Sequence, residues 1–284
     1  MSQERRSDLT TFLILVYVIS WSLWAPVVLL FPDTSAPPWW ALVLAAVGAY
    51  GPSLAAMITA LVCGKLPGLA ALFTSARGRA GWPWYLLVLL GPPAFVWIAA
   101  GTQVLLGGHV RLVGAQSLVK MALILATFIP FGPLGEELGW RGYALPRLEQ
   151  HFAPLVSGLV LGIIWAAWHL PMFWFPPIGM PRRSLGNVAM WAVNVVGFSV
   201  LLSYVARRTK YSVPIAILLH ATLNAGPSMG RAVLVSTPAD LQAIGSKAQI
   251  VLWVVIFLAA IMLARDGLRT RSEFVSTGRR YGAG

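Results

Sequence analysis

Glu136 and Glu137 stand side by side in Gly135-Glu136-Glu137-Leu138-Gly139-Trp140-Arg141, at the end of a long apolar run. They are two of the chain's nine acidic residues, and ionisable groups at membrane depth are costly enough that their retention points to use. On a helix, positions four apart share a face, so Glu137 stacks beneath Arg141 while Glu136 points about 100° away. Glu137 and Arg141 neutralise each other locally. Glu136 is left as a carboxylate with no sequence-local cation, placed to serve as a general base.

Two more polar islands interrupt later apolar runs. In Trp165-Ala166-Ala167-Trp168-His169 the indole and the imidazole share a helix face, and His220-Ala221-Thr222-Leu223-Asn224 again sets two polar groups one turn apart. Counted from the expected inner helix ends, Glu136 lies 12 residues from Leu148, His169 lies 15 from Pro154 and His220 lies 11 from Thr209. At ~1.5 Å per residue these depths are roughly 18, 22 and 16 Å, so the groups can meet in one layer. Taken singly, each island has a blander reading. A lone membrane histidine commonly bonds a neighbouring helix, and two glutamates with an arginine suit an ion-pair network or a transporter's proton path. Depth-matched Glu136, His169, His220 and Asn224 on three helices favour a site. His109 and His151 sit in loops and carry no such argument.

The elements that must position these groups follow from composition. Of 284 residues, 58% are hydrophobic and 11% charged, with 13 Trp and a mean hydropathy of +0.75. That is a polytopic membrane protein. Lipid offers the backbone no hydrogen-bond partners, and the apolar runs are helix-length, so the fold class is all-α, a transmembrane helical bundle. Runs near 11–31, 39–62, 84–106, 117–145, 152–175, 187–206, 212–229 and 249–265 give about eight helices in a single domain, 1–284. Thr11 to Phe31 is long enough to be a retained first helix rather than a signal peptide. Ile129-Pro130-Phe131-Gly132-Pro133 is hostile to a continuous helix. A helix restarting near Pro133 would carry the glutamates in its first turn, where the dipole favours negative charge. Breakers also fall at Gly64 with Pro67-Gly68, at Pro176-Pro177 with Pro181, and at Ser236-Thr237-Pro238. Gly158-x-x-x-Gly162 and Gly226-x-x-x-Gly230 permit close helix packing.

The net charge of +12 would suggest nucleic acid in a soluble chain. Here the basic residues lie between apolar runs, fifteen of 21 on the side of the termini, so membrane lipid is the expected partner, nucleic acid is not, and both termini are expected in the cytoplasm. The six on the other side are Arg111, Lys120, Arg182, Arg183, Arg231 and Lys247. A single cysteine, Cys63, excludes an internal disulfide and a cysteine metal cluster, and reads as a small apolar filler.

Known protease signatures narrow the chemistry. No histidine is followed by glutamate, so the His-Glu-x-x-His zinc motif is missing. Asp8, Asp33, Asp240 and Asp266 all lie outside the apolar runs, and no Gly-x-Ser-x-Gly occurs. A carboxylate and imidazole acting on water remain. The same residues leave open a zinc site in which Glu136, His169 and His220 are three ligands and water the fourth.

Glu136-Glu137-x-x-x-Arg141, Trp165-x-x-x-His169 and His220-x-x-x-Asn224 together resemble the CPBP intramembrane proteases, which include the type II CAAX-prenyl endopeptidases and bacteriocin-processing or self-immunity proteins. The resemblance spans about 135 to 225, within a family-like core of about 117–230. It implies an endopeptidase in which Glu136 and His169 activate a water while His220 and Asn224 stabilise the oxyanion, with Glu137 and Arg141 in support. Trp165 stands where the family usually has phenylalanine, which puts only local packing in question. Asparagine beside His220 suits an oxyanion donor better than a zinc shell, so metal-free chemistry without a cofactor is the preferred expectation. Seventeen arginines against four lysines fit a GC-rich bacterial genome; for a bacterial chain, a leader peptide or membrane-anchored protein is the expected substrate rather than a prenylated one. The rival from another class is a non-catalytic scaffold or a proton-coupled transporter. Transporters often show paired broken helices, and here only the fourth span is clearly interrupted before the site.

Overall fold

The computed structural model describes residues 3–78, 80–112, 116–175 and 184–280. Arg79, Arg182, Arg183 and the Pro176-Pro177 and Pro181 breakers lie outside them. In chain order the elements are α1 (Gln3–Leu30), α2 (Trp39–Gly48), α3 (Gly51–Ala76), α4 (Trp82–Leu105), β1 (Val110–Leu112), α5 (Gln116–Phe128) and α6 (Pro133–Glu137). A π-helical stretch (Leu138–Ala144), α7 (Leu145–Leu148), α8 (Pro154–Trp168), a 3-10 turn (Leu170–Trp174), α9 (Leu185–Arg208), α10 (Val213–Arg231), β2 (Leu234–Ser236) and α11 (Pro238–Arg280) complete them.

The all-α bundle expected from composition is what forms. Among the described residues, six helices are long and apolar enough to cross a membrane, and α5 with Pro133–Leu148 makes a seventh as a pair bent by 46°. The remaining apolar run is α10, whose 19 residues are diluted by His220, Thr222, Asn224 and Ser228. Its candidate chemistry is what hides it from a hydropathy criterion. Large apolar side chains such as Leu29, Val62, Leu105, Leu185 and Phe257 are exposed around the bundle, as a lipid-facing surface requires. Two boundaries differ from expectation. The run 39–62 divides into α2 and α3 at Ala49-Tyr50, and the break expected at Gly64 is a turn at Lys65 (φ 53) inside α3, which continues to Ala76. Cys63, expected as a filler, is exposed on α3.

The interruption before the glutamates is built by Gly132, whose φ of +121 lies where side-chain-bearing residues are strained. Pro133 then opens α6, its missing N–H costing nothing in a first turn. Tyr50 Oη donates to the freed Pro130 carbonyl at 2.9 Å, satisfying backbone that lipid could not. Glu136 lies in the first turn of α6, as predicted. The helix then widens into its π-helical stretch, a rare form that recurs at functional sites. Gly139 sits there because a Cβ would come within 2.4 Å of the Pro52 carbonyl oxygen, so α3 can approach only a glycine.

The two glycine pairs serve packing. A Cβ on Gly162 would lie 2.8 Å from Val196 Cα of α9, and one on Gly230 would lie 2.4 Å from Val96 of α4. Ser199 Oγ donates to the Gly158 carbonyl at 2.9 Å across the first contact. α10 packs against α4, α5, α6 and α9, and Thr222 Oγ1 ties it to the Val88 carbonyl of α4 at 2.6 Å. This central helix carries His220.

Each end of the bundle has its own polar fastening. At one, β1 pairs antiparallel with β2, Arg111 opposite Val235, and Asp240 accepts from Gln103 Nε2 at 2.6 Å, Thr237 Oγ1 at 2.8 Å and the His109 N–H at 3.2 Å. At the other, Glu149 accepts from Arg207 and Tyr211, and Arg208 pairs with Asp266 at 3.2 Å.

Candidate active site

Glu136 and Glu137 are neighbours in sequence with separate partners. Trp165 Nε1, from α8, donates to Glu136 Oε2 at 2.6 Å, and Trp140 Nε1 reaches the same oxygen at 3.3 Å. Glu136 Oε1 makes no hydrogen bond among the described residues. Glu137 Oε1 accepts from Arg141 Nη1 at 2.9 Å and from His220 Nδ1 at 2.7 Å. Glu137 and Arg141 are fully buried, while Glu136 and His220 each keep 3% exposure. The Trp165 ring lies between the groups: its centroid is 5.0 Å from that of His220, edge to face, and 5.8 Å from that of His169. Arg141 Cζ stands 4.6 Å over the same indole, a cation–π contact.

The end of α8 sets His169. The last carbonyls of a helix lack partners within it, and here side chains reach two of them, with a further bond one residue earlier. Tyr17 Oη donates to Ile164 O, Trp21 Nε1 to Trp168 O, and His169 Nδ1 to Trp165 O, each at 2.9 Å. A carbonyl only accepts, so His169 Nδ1 carries its proton and Nε2 of the neutral ring presents a lone pair. Glu137 fixes the Nδ1–H of His220 by the same logic. Nε2 of His220 then accepts when the ring is neutral and donates when it is an imidazolium.

Residues 118–226 match the family described as Rce1-like, the type II CAAX prenyl endopeptidases, and that stretch contains every candidate from Glu136 to Asn224. The likeness to that family covers 109 of the chain's 284 residues. A curated relative, CAAX prenyl protease 2 of Methanococcus maripaludis, is 25% identical over 109 residues, covering 37% of this chain and 37% of that protein. The match thus spans little over a third of the relative's length.

Within this Rce1-like segment the structure gathers six of the seven residues nominated from sequence: Glu136, Glu137, Arg141, Trp165, His169 and His220. The seventh, Asn224, lies one turn beyond His220 on α10, where it is exposed and joins the cluster through no hydrogen bond among the described residues. The contribution expected of Trp165 needs correcting. Where phenylalanine would only pack, the indole N–H bonds directly to Glu136. Sequence reasoning missed Trp140, although it stands four residues after Glu136 and the rule that paired Glu137 with Arg141 would have found it. It also missed Trp191 of α9, whose ring is 5.0 Å from His169, and the Glu137–His220 bond, for which a separation of 83 positions leaves no local signal.

A zinc ion would need Glu136, His169 and His220 as a convergent donor set. Among the described residues no three His, Cys, Asp or Glu side chains are grouped so as to hold a metal ion, and Oε2 of Glu136 is engaged by two indoles. No step below is routed through such a site.

Proposed function

We propose that this chain is an intramembrane endopeptidase that uses a metal-free, glutamate- and histidine-activated water. One observation carries the reading: side chains from three separate elements, Glu136 of α6, His169 at the end of α8 and His220 of α10, meet around one indole. Glu136 Oε1 takes a proton from a water that donates its other hydrogen to the His169 Nε2 lone pair. The resulting hydroxide forms a bond to the peptide carbonyl carbon, and the C=O π pair moves onto oxygen. His220, its Nδ1–H bonded to Glu137, donates from Nε2 to that oxyanion in its imidazolium form. Collapse of the intermediate breaks the C–N bond, and the proton held by Glu136 passes to the departing amine. Asn224 reaches this arrangement as a second oxyanion donor once substrate turns its amide inward. The substrate is the peptide chain of a membrane-associated protein or leader peptide, and the fifteen-to-six arrangement of basic residues supports an orientation with both termini in the cytoplasm.

The test compares membrane peptides from cells carrying the native protein with those from cells carrying Glu136→Ala. Cleavage is expected to vanish while the variant remains in the membrane at native level; unchanged products would end the reading. Purified protein is expected to keep its activity in excess chelator. Loss reversed by added zinc would transfer the chemistry to a metal.

A further inference from the structure

We propose that Trp165 and Trp140 form an indole clamp that orients the general base, Trp165 being the positioning residue that couples Glu136 to both imidazoles. The inference rests on the hydrolase reading above and goes beyond it by assigning a role to a side chain whose family counterpart is usually phenylalanine. A carboxylate on a flexible glutamate has two equivalent oxygens and a torsion free to exchange them. Two N–H groups on Oε2, at 2.6 and 3.3 Å, remove that freedom and leave Oε1 as the oxygen that meets water. Hydrogen bonds to an ionised acceptor are the stronger kind, and indole is a donor only, so the clamp cannot take the proton it helps to move.

The same residue organises the rest of the site. Its carbonyl holds Nδ1 of His169, its ring edge meets His220, and its face carries Arg141. Motion of this one indole would therefore displace the base and the oxyanion donor together. Trp165 is buried beside Ala166, Trp168 and Leu161, which holds it in place. Trp140 is itself packed at a centroid distance of 5.9 Å from Trp168 and 5.9 Å from Phe12, so neither donor is free to swing away.

The experiment uses the full chain in detergent or lipid and a membrane-anchored peptide reporter. Trp165→Phe keeps an aromatic ring at this position and deletes the donor together with the second ring of the indole. Its kcat is expected to fall on the order of ten- to a hundredfold, the scale of a slightly misplaced catalytic group, with KM within about twofold. Native kcat in Trp165→Phe overturns the clamp, as does a loss expressed only in KM. Indole ¹⁵N–¹H spectra supply a readout independent of turnover and of how well that variant folds. The Trp165 Nε1–H resonance of the native protein is expected at low field and to move upfield in Glu136→Gln, because a neutral amide accepts more weakly than a carboxylate. A resonance unmoved by that change refutes the bond. Glu136→Gln also separates the two levels: if it cleaves at the native rate, the hydrolase reading fails; if it is inactive while Trp165→Phe is fully active, only the clamp fails.

Discussion

Near one end of the bundle, Glu149 and Asp266 are met by Arg207 and Arg208, cation for anion, whereas at mid-bundle two adjacent glutamates have one guanidinium beside them, that of Arg141, and it pairs with Glu137. The end cluster is reached by solvent, Arg207 keeping 26% of its side-chain exposure and Glu149 7%. In the central one, Arg141 and Glu137 have none. The shortfall of positive charge at the centre is made up by an imidazole and two indoles, groups that donate hydrogen bonds and, for the imidazole, exchange protons. A cluster built to fasten helices matches its charges and sits at their ends. The central cluster leaves one carboxylate without a cation and sets indole donors against it, the arrangement that the proposed proton transfer calls for.

That contrast fails first if the central charges merely fasten. Glu136→Gln is expected to lower turnover by about 10²–10⁴-fold while shifting thermal unfolding in detergent by no more than an ordinary surface change; a large loss of stability with retained cleavage would make the centre a second staple. Arg141→Met leaves Glu137 buried with only His220, and breaking such a pair costs about 3–5 kcal/mol. Denaturant unfolding of the reconstituted variant should show it. Arg207→Met, at the partly exposed end, should cost about 1 kcal/mol or less, with cleavage rates unchanged. The smallest effect concerns pH. Burial holds the Glu149 carboxyl above the ordinary glutamate range, outweighing the hydrogen bond from Tyr211 and the charge of Arg207. A folded-state value raised in this way contributes stability that is complete below the unfolded value near 4.5 and is lost as pH rises through the folded one. The unfolding midpoint of the native protein should therefore decline relative to Glu149→Gln as pH is raised from about 4.5, and parallel curves would remove Glu149 from the account.

Much of this was legible in the chain because lipid enforces it. A backbone in hydrocarbon must be helical, so apolar runs mark the helices, and polar interruptions such as His169 and His220 stand out against them. The restart at Pro133 was readable for the same reason, since Gly132 and Pro133 have few other uses in sequence. What stayed hidden depends on neighbours distant along the chain. Nothing near Glu137 specifies that its second partner is His220 rather than water, and nothing near Trp165 indicates that its N–H finds Glu136, 29 positions away. The widening to a π-helix after Glu137 also escapes local reading, and so does the close approach of α3 at Gly139. Asn224 shows the converse: spacing put it one turn from His220, but burial is decided by the bundle, which leaves it exposed.

The carbonyls at the end of α8 are closed by Tyr17 and Trp21 of α1, and the broken backbone at Pro130 by Tyr50. All three donors lie upstream of residue 118, where the family match begins. The shared segment thus takes three of its backbone closures from helices outside it. A truncated protein reduced to it would carry naked oxygens beside its histidine and at its hinge, so the N-terminal helices act as a built-in brace through a few tyrosines and tryptophans.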